Sequence, residues 1–281
     1  MNKHDMRRGQ LITFEQALRQ GEREESTVEK YVREVRQFAS WLGKGEVTKE
    51  SVSGWKEHLR GAGYKPETIN GKLSALNKFF RCMGWGECRV KYLKIQRKLF
   101  RSTGRELTKA EYVRLLETAA GLGKARLALL METICATGIR VSEVKYITVE
   151  AIRAGRADIA LKGKIRTVLL PNKLCRKLEK YAKKQKITSG EVFLTRSGKG
   201  ITRRQIWAEM KWLCKRAGVE STKVFPHNLR HLFARTFYQA SRDVAKLADV
   251  LGHSSIETTR IYLISTGAEH ARQLEKLGLI S

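Results

Sequence analysis

Between Phe225 and Tyr262 the chain reads FPHNLRHLFARTFYQASRDVAKLADVLGHSSIETTRIY, and histidines, an arginine and a tyrosine fall at fixed offsets along what read as consecutive helices, types suited to proton transfer and anion binding. His227 and Arg230 are three apart, one turn of a helix that Pro226 can start, so both side chains leave one strongly cationic face. An arginine offers a planar, permanently charged fork to the non-bridging oxygens of a phosphodiester, a geometry that lysine cannot match. Imidazoles take and give protons near neutral pH. Leu251-Gly252-His253 has the form of a glycine-capped helix end, and Ser254-Ser255 can cap the next helix, which carries Tyr262. His253 then stands at an element boundary. A second arginine, Arg140, lies upstream in Ala136-Thr137-Gly138-Ile139-Arg140-Val141-Ser142-Glu143, where Gly138 ends an apolar helix and a sharp turn follows.

These three segments, in this order, resemble the boxes of the tyrosine recombinases, the family of phage integrases, Xer recombinases and Cre. His227-Asn228-Leu229-Arg230-His231 is similar to the family's HxLRH box, Leu251-Gly252-His253 with Tyr262 to its LGH…Y box, and the stretch around Arg140 to its TGxRxSE segment. A lone HxxR would carry little; three ordered boxes are specific. The resemblance runs from about Leu107 to Tyr262. It implies that Tyr262 is the nucleophile, forming a 3′-phosphotyrosyl bond that keeps the energy of the phosphodiester and lets the strand be rejoined without ATP. Arg140 and Arg230 would hold the pentacoordinate phosphorus, with His227 orienting or deprotonating and His253 donating to the phosphate or sharing the acid–base work. Glu143 matches the family's acidic residue beside the first arginine and would hold Arg140. The family's general acid is a lysine on a β-hairpin turn. Here that turn, Lys162-Gly163-Lys164-Ile165-Arg166, is tighter than the commoner GKGxKxR form; Lys162, which precedes the glycine as the family's lysine does, is the first candidate and Lys164 the alternative. His231 and Tyr238 are read as structural, Tyr238 because it lies in an apolar run.

Composition sets the partner. Lysine and arginine number 56 against 28 acids, a net charge of +28, which suits a polyanion surface and double-stranded DNA above all. There is no run of eighteen apolar residues, and MNKHDMRRGQ lacks a signal-peptide core, so a cytoplasmic, nucleoid-associated protein without membrane contact is expected. The five cysteines show no CxxC spacing and are expected to be buried free thiols, with Cys135 a core residue. No DxD, HExxH or acidic cluster suggests a metal, and cleavage without metal or other cofactor is expected.

The elements that must position these residues fall into two groups. From Thr13 to Leu42 apolar residues repeat at three and four, with Ser26-Thr27 as a cap; a helix follows Thr48, and another starts at Pro66. Residues 1–90 are read as a helical, SAM-like core-binding bundle, with Trp41, Trp55 and Trp85 in its core and Lys65, Lys72 and Lys78 toward DNA. Residues 91–105 form a basic linker in which Lys94, Arg97 and Lys98 would meet phosphates. Residues 106–281 are read as the catalytic domain, with a hairpin over about 156–170, a third strand at Val192-Phe193-Leu194, helices from Pro171 and Arg203, and a tail helix bearing Ala268, Ala271, Leu274, Leu277, Leu279 and Ile280. That tail packs on its own domain or on a neighbouring protomer.

The expectation is therefore a mainly α protein: a helical N-terminal bundle, then an α+β catalytic domain with a small antiparallel three-stranded sheet. Its function would be site-specific recombination through a Holliday junction, in integration, excision or resolution, as a dimer on one site and a tetramer in the synapse. An accessory DNA-bending or directionality protein is an optional partner. The bundle begins near Thr13 with no arm-binding domain before it, which favours a recombinase that needs few accessory sites. A catalytically idle DNA-binding regulator and a type IB topoisomerase are the alternatives on the same fold, and a basic RNA-binding protein a distant third.

Overall fold

The computed structural model describes residues 4–95, 103–161, 164–253, 255–262 and 274–277. The chain divides into two compact units, Met1–Arg97 and Lys98–Ser281. Among the described residues no helix is long and apolar enough to cross a membrane.

The first unit is all helix: α1 (Arg8–Gln20), α2 (Glu25–Leu42), α3 (Lys49–Gly61) and α4 (Pro66–Cys82), then a 3-10 turn at Gly86–Cys88. The single repeat that spans Thr13 to Leu42 in the sequence is two helices, because Glu22 takes a left-handed φ of 52° and breaks the chain. Helix α2 starts at Glu25, before the expected Ser26-Thr27 cap, with no side-chain cap bond. Thr48 and Ser51 form a capping box on α3, and Pro66 is the first residue of α4. Val32, Val35 and Phe38 of α2 close on Leu73, Leu76, Phe79 and Phe80 of α4, with Phe14 and Trp55 completing the core. Trp41 is an exception to the expected buried set: it is exposed, with its ring against Trp55 and His58.

The expected linker does not begin free. Asn77 exchanges two hydrogen bonds with the backbone of Val90, and Asn70 does the same with Leu93, which straps residues 90–93 to α4. Lys94 is exposed; Arg97 and Lys98 lie outside the described residues.

In the second unit a 3-10 turn (Thr103–Arg105) leads into α5 (Lys109–Gly121), capped by a Thr108/Glu111 box, and α6 (Ala125–Thr137). A 3-10 turn at Val141–Tyr146 and α7 (Val149–Ala154) precede the antiparallel hairpin of β1 (Arg156–Leu161) and β2 (Lys164–Leu169), which pairs Arg156 with Leu169 and Ile159 with Arg166. Then come α8 (Asn172–Lys184), α9 (Arg203–Arg216), α10 (Pro226–Ser241), α11 (Val244–Leu251) and α12 (Ile256–Arg260). The expected third strand does not form among the described residues: the sheet has two strands. Val192 donates to Ile147 O and Ile201 to Phe193 O, so the backbone of that segment is engaged by its neighbours and not by the hairpin. Val192 and Phe193 nevertheless join the core.

Helix α10 packs on α6, and the contact is closest at Gly138. With φ +66°, Gly138 ends α6 in the left-handed region, and a Cβ there would overlap the Phe233 ring. Replacing Gly138 by alanine is expected to lower stability by about 1–3 kcal/mol through backbone strain and by about as much again through the displaced ring. Urea unfolding of the variant tests this; a midpoint equal to wild type would mean that α6 and α10 part freely.

Candidate active site

Arg140 follows the Gly138 cap and is itself the N-cap of the 3-10 turn that contains Glu143. Glu143 is 1 % exposed and takes three donors. Its Oε2 accepts the Arg140 backbone N–H at 2.7 Å and Arg166 Nη2 at 2.5 Å, and its Oε1 accepts Arg140 Nη1 at 2.9 Å. Burial alone would raise this carboxyl, but the Arg140 backbone N–H and the Arg166 and Arg140 guanidiniums hold it below its usual value. A fixed anion between two arginines aims them. Arg140 keeps 41 % of its side chain exposed, so its fork is both oriented and accessible.

Arg230, on the first turns of α10, is 1 % exposed. Its Nη1 donates to Gly138 O, and its Nη2 donates to Leu251 O at 2.9 Å and to His253 Nε2 at 2.9 Å. The carbonyls come from the ends of α6 and α11, which glycine caps leave unpaired within their own helices. Burial lowers the Arg230 pKa, a side-chain hydrogen bond with Tyr262 opposes this, and Arg140 lowers it further. Its Nε–H is buried and, like that of Arg166, has no hydrogen-bond partner among the described residues.

The contact with Arg230 settles the protonation of His253. Arginine has donors only, so Nε2 must accept, and Nδ1 then carries the hydrogen and donates to Thr259 Oγ1 at 2.8 Å. Thr259 is fully buried on α12. Burial and the charges of Arg230, Arg140 and Arg166 push His253 down to about 4. His227, whose ring reaches the surface, is lowered in the same direction by the protein around it, then by Arg230, Arg140 and Arg203. Both imidazoles are thus neutral in the folded protein, whereas an unfolded chain protonates them near pH 6.5. Between about pH 6.5 and 4 the unfolded state binds more protons, so stability falls as pH falls through that window. Urea midpoints at pH 7 and pH 5 are expected to drop for wild type and to drop less for His253→Gln; equal slopes would remove the buried neutral imidazole.

Tyr262, 6 % exposed, closes the cluster. Its ring lies 4.5 Å from His231, 5.8 Å from His253 in a stacked arrangement and 6.2 Å from His227. Behind it Ala234, Leu247 and Leu251 pack with Phe233, Phe237 and Tyr238, so Tyr238 is a packing residue. His231, read as structural from sequence, instead touches both His227 (4.5 Å) and Tyr262. The reason is simple helical geometry: four residues is only slightly more than one turn, which returns His231 to the His227 face.

The structure thus brings together Arg140, Glu143, His227, Arg230, His253 and Tyr262. Lys162 lies outside the described residues, and Lys164 opens β2. Of the residues assigned to DNA contact in the first unit, Lys65 is exposed and Lys78 half-buried. Lys72 is corrected: it is 8 % exposed, with Nζ on Glu34 Oε2 at 2.5 Å and on Gln37 Oε1, because α2 covers it. All five cysteines are free, and burial pushes the Cys135 thiol up to about 11, which removes it as a nucleophile.

Two residues of the cluster had no assignment from sequence. Arg166 binds Glu143 and also donates to Val250 O at 2.8 Å, passing under Gly252 so closely that a Cβ there would meet its side chain. Strand alternation was the available signal: Ile165 and Leu169 point outward and are exposed, so Arg166 must point in with Val168. Thr259, which orients His253, had only its place on the short helix that leads to Tyr262.

A family model described as the phage integrase family matches residues 105–269, and one described as phage integrase, N-terminal SAM-like domain, matches residues 11–85. The tyrosine recombinase XerA of Thermococcus kodakarensis is 30% identical over 257 residues, 89% of this chain and 88% of that protein. The tyrosine recombinase XerD of Vibrio cholerae is 27% identical, with 89% of each chain covered. Among solved structures, a lambda integrase dimer bound to a COC' core site matches with a TM-score of 0.73 at 17% identity, over 93% of this chain and 77% of that one. XerH bound to its difH substrate matches with a TM-score of 0.69 at 18% identity, over 97% of this chain and 90% of that one.

Proposed function

Because the chain belongs to the phage integrase family and is a tyrosine site-specific recombinase, we propose that Tyr262 is its nucleophile and that Arg140, Arg230, His227 and His253 are the groups that hold the phosphate and move protons. The observation that carries this reading is convergence: residues 140, 230, 253 and 262, contributed by the ends of α6, α10, α11 and α12, meet around one tyrosine hydroxyl and one buried guanidinium. DNA is the substrate, and the working assembly is a dimer on one site and a tetramer on the junction.

In the first step the Tyr262 oxygen attacks the scissile phosphorus and its proton leaves to a neutral imidazole. The P–O bond to the 5′ oxygen breaks, and that oxygen takes a proton from a hairpin lysine, Lys162 or Lys164. The developing charge lies on the non-bridging oxygens, which the exposed Arg140 fork can engage and to whose stabilisation Arg230 adds its positive charge. His253 enters this step with a lone pair on Nε2, so it first orients Arg230; the phosphate charge then favours its protonation. His231, against both His227 and Tyr262, keeps the tyrosine ring in register. Rejoining reverses the sequence with a different 5′ hydroxyl.

The first unit is a core-binding domain in this reading, with Lys65 and Lys94 toward phosphates; in the second unit Arg203, which opens α9, adds positive charge near His227. Such an enzyme works in the cytoplasm, beside the chromosome. Covalent trapping on nicked suicide duplexes tiled from the DNA flanking the gene tests the whole reading. An SDS-resistant adduct is expected. Salt-sensitive binding without any adduct would leave an idle regulator, and supercoil relaxation without strand exchange would mean a topoisomerase.

Arg166 is a positioning residue here. Replacing it by methionine keeps the unbranched stem but releases both Glu143 and Val250 O, and cleavage is expected to fall about 10–100-fold, as when a residue behind a reactive group is lost. Single-turnover cleavage at saturating duplex measures it. An unchanged rate would show that Glu143 alone sets Arg140.

A further inference from the structure

Far along the sequence from the catalytic boxes, the first unit gathers three donor groups of different chemistry. His4 Nε2 lies 2.7 Å from Glu87 Oε1, and these atoms and Cys88 Sγ all lie within 4.8 Å of one another, the one such group among the described residues. The arrangement is held from several sides. The His4 ring stacks on Trp85 at 4.4 Å and 10°, which fixes its plane. The His4 backbone pairs with Val47 in both directions, and Cys88 Sγ points at the same Val47 carbonyl at 3.7 Å. Glu87 and Cys88 share the rigid 3-10 turn Gly86–Cys88.

We propose that His4, Glu87 and Cys88 form a zinc site that fastens the N-terminal segment to the end of α4. Imidazole nitrogen, carboxylate oxygen and thiolate sulfur are the three donor types of protein-bound zinc, at about 2.0–2.3 Å from the metal. Such bonds put ligand atoms about 3.3–3.8 Å apart in a tetrahedron, so the three groups need move by about 1 Å. A water molecule completes the shell. Cys88 is fully buried, which keeps its sulfur out of bulk water. Binding replaces the S–H bond of Cys88 by S–Zn and releases that proton to solvent, while the His4–Glu87 hydrogen bond gives way to two metal bonds. The ion takes no part in strand cleavage, which is served by residues 140–262.

The test uses the full chain and Zn²⁺ alone. After incubation with excess Zn²⁺ and gel filtration through metal-free buffer, wild type is expected to retain one equivalent and to melt at a higher temperature than after chelation. His4→Gln, which leaves the His4–Val47 backbone pairing in place, and Cys88→Ser are expected to lose both effects. Cys82→Ser, which removes a cysteine outside the site, keeps them. With Co²⁺ as the probe, wild type is expected to show thiolate-to-metal charge-transfer absorption that Cys88→Ser lacks. No retained metal in wild type, equal retention in His4→Gln and Cys88→Ser, or a cobalt spectrum without the thiolate band would each overturn the proposal and leave His4–Glu87 as a plain ion pair.

Discussion

Tyr262→Phe is expected to bind its duplex with an affinity close to wild type and to form no covalent adduct on a nicked substrate. Loss of a nucleophile that acts with its proton acceptors as one unit lowers turnover by about 10⁴-fold or more. The substitution removes one oxygen and leaves the ring. That ring is 6 % exposed and packs against Ala234, Leu247, Leu251 and the His231 and His253 imidazoles, so the fold has no reason to change. The hydroxyl is one of the groups that oppose the lowering of the Arg230 pKa, and its loss removes that contribution. Denaturing gels of wild type and variant on the same suicide duplex read the result. An adduct that persisted in Tyr262→Phe would move the nucleophile elsewhere.

Arg230→Lys is expected to lose both rate and stability, and the comparison with Arg140→Lys separates the two. A lysine cannot donate at once to Gly138 O, Leu251 O and His253 Nε2, and its point charge offers no fork to a phosphate. Removing a preorganised donor costs about 10²–10³ in rate. Leaving the buried carbonyls of α6 and α11 without donors costs about 1–3 kcal/mol of stability. Arg140 differs by position: 41 % of its side chain is exposed, and Glu143 can still bind a lysine there. Arg140→Lys should therefore lose rate by a similar factor and melt close to wild type. Single-turnover cleavage and urea unfolding of the pair check this, and equal stability losses would show that Arg140 is as structural as Arg230.

Much of this protein is written in short-range features. The Thr48/Ser51, Thr108/Glu111 and Thr202/Gln205 boxes start helices, and glycine at 138 and 252 ends them, because cap energetics involve only neighbouring backbone groups. Pro66, Pro171 and Pro226 all stand at helix starts for the same reason. Those boundaries set Arg140, His253 and Tyr262 next to helix ends, and a three-residue spacing put His227 and Arg230 on one face. The membership of the cluster, two arginines and two histidines about a tyrosine, was legible because three ordered segments resemble the boxes of one family.

Environment was another matter, since it depends on which distant element covers a side chain. Lys72 has the sequence of a surface lysine, and α2 makes it a buried partner of Glu34. Arg166 bridges Glu143 and Val250 O, the latter 84 residues away, and the Arg230 bond to Gly138 O spans 92. The expected third strand is absent because residues 191–201 pair with segments that local pattern could not nominate. The sequence alone determined the three ordered boxes that nominate the site residues, and the helices that carry them, through motif spacing and local caps. Only the tertiary structure decided that Arg230 is buried, that His253 is neutral with its hydrogen on Nδ1, and that Glu143 serves two arginines, because desolvation and long-range hydrogen bonds exist only once α6, α10, α11 and the hairpin are packed together.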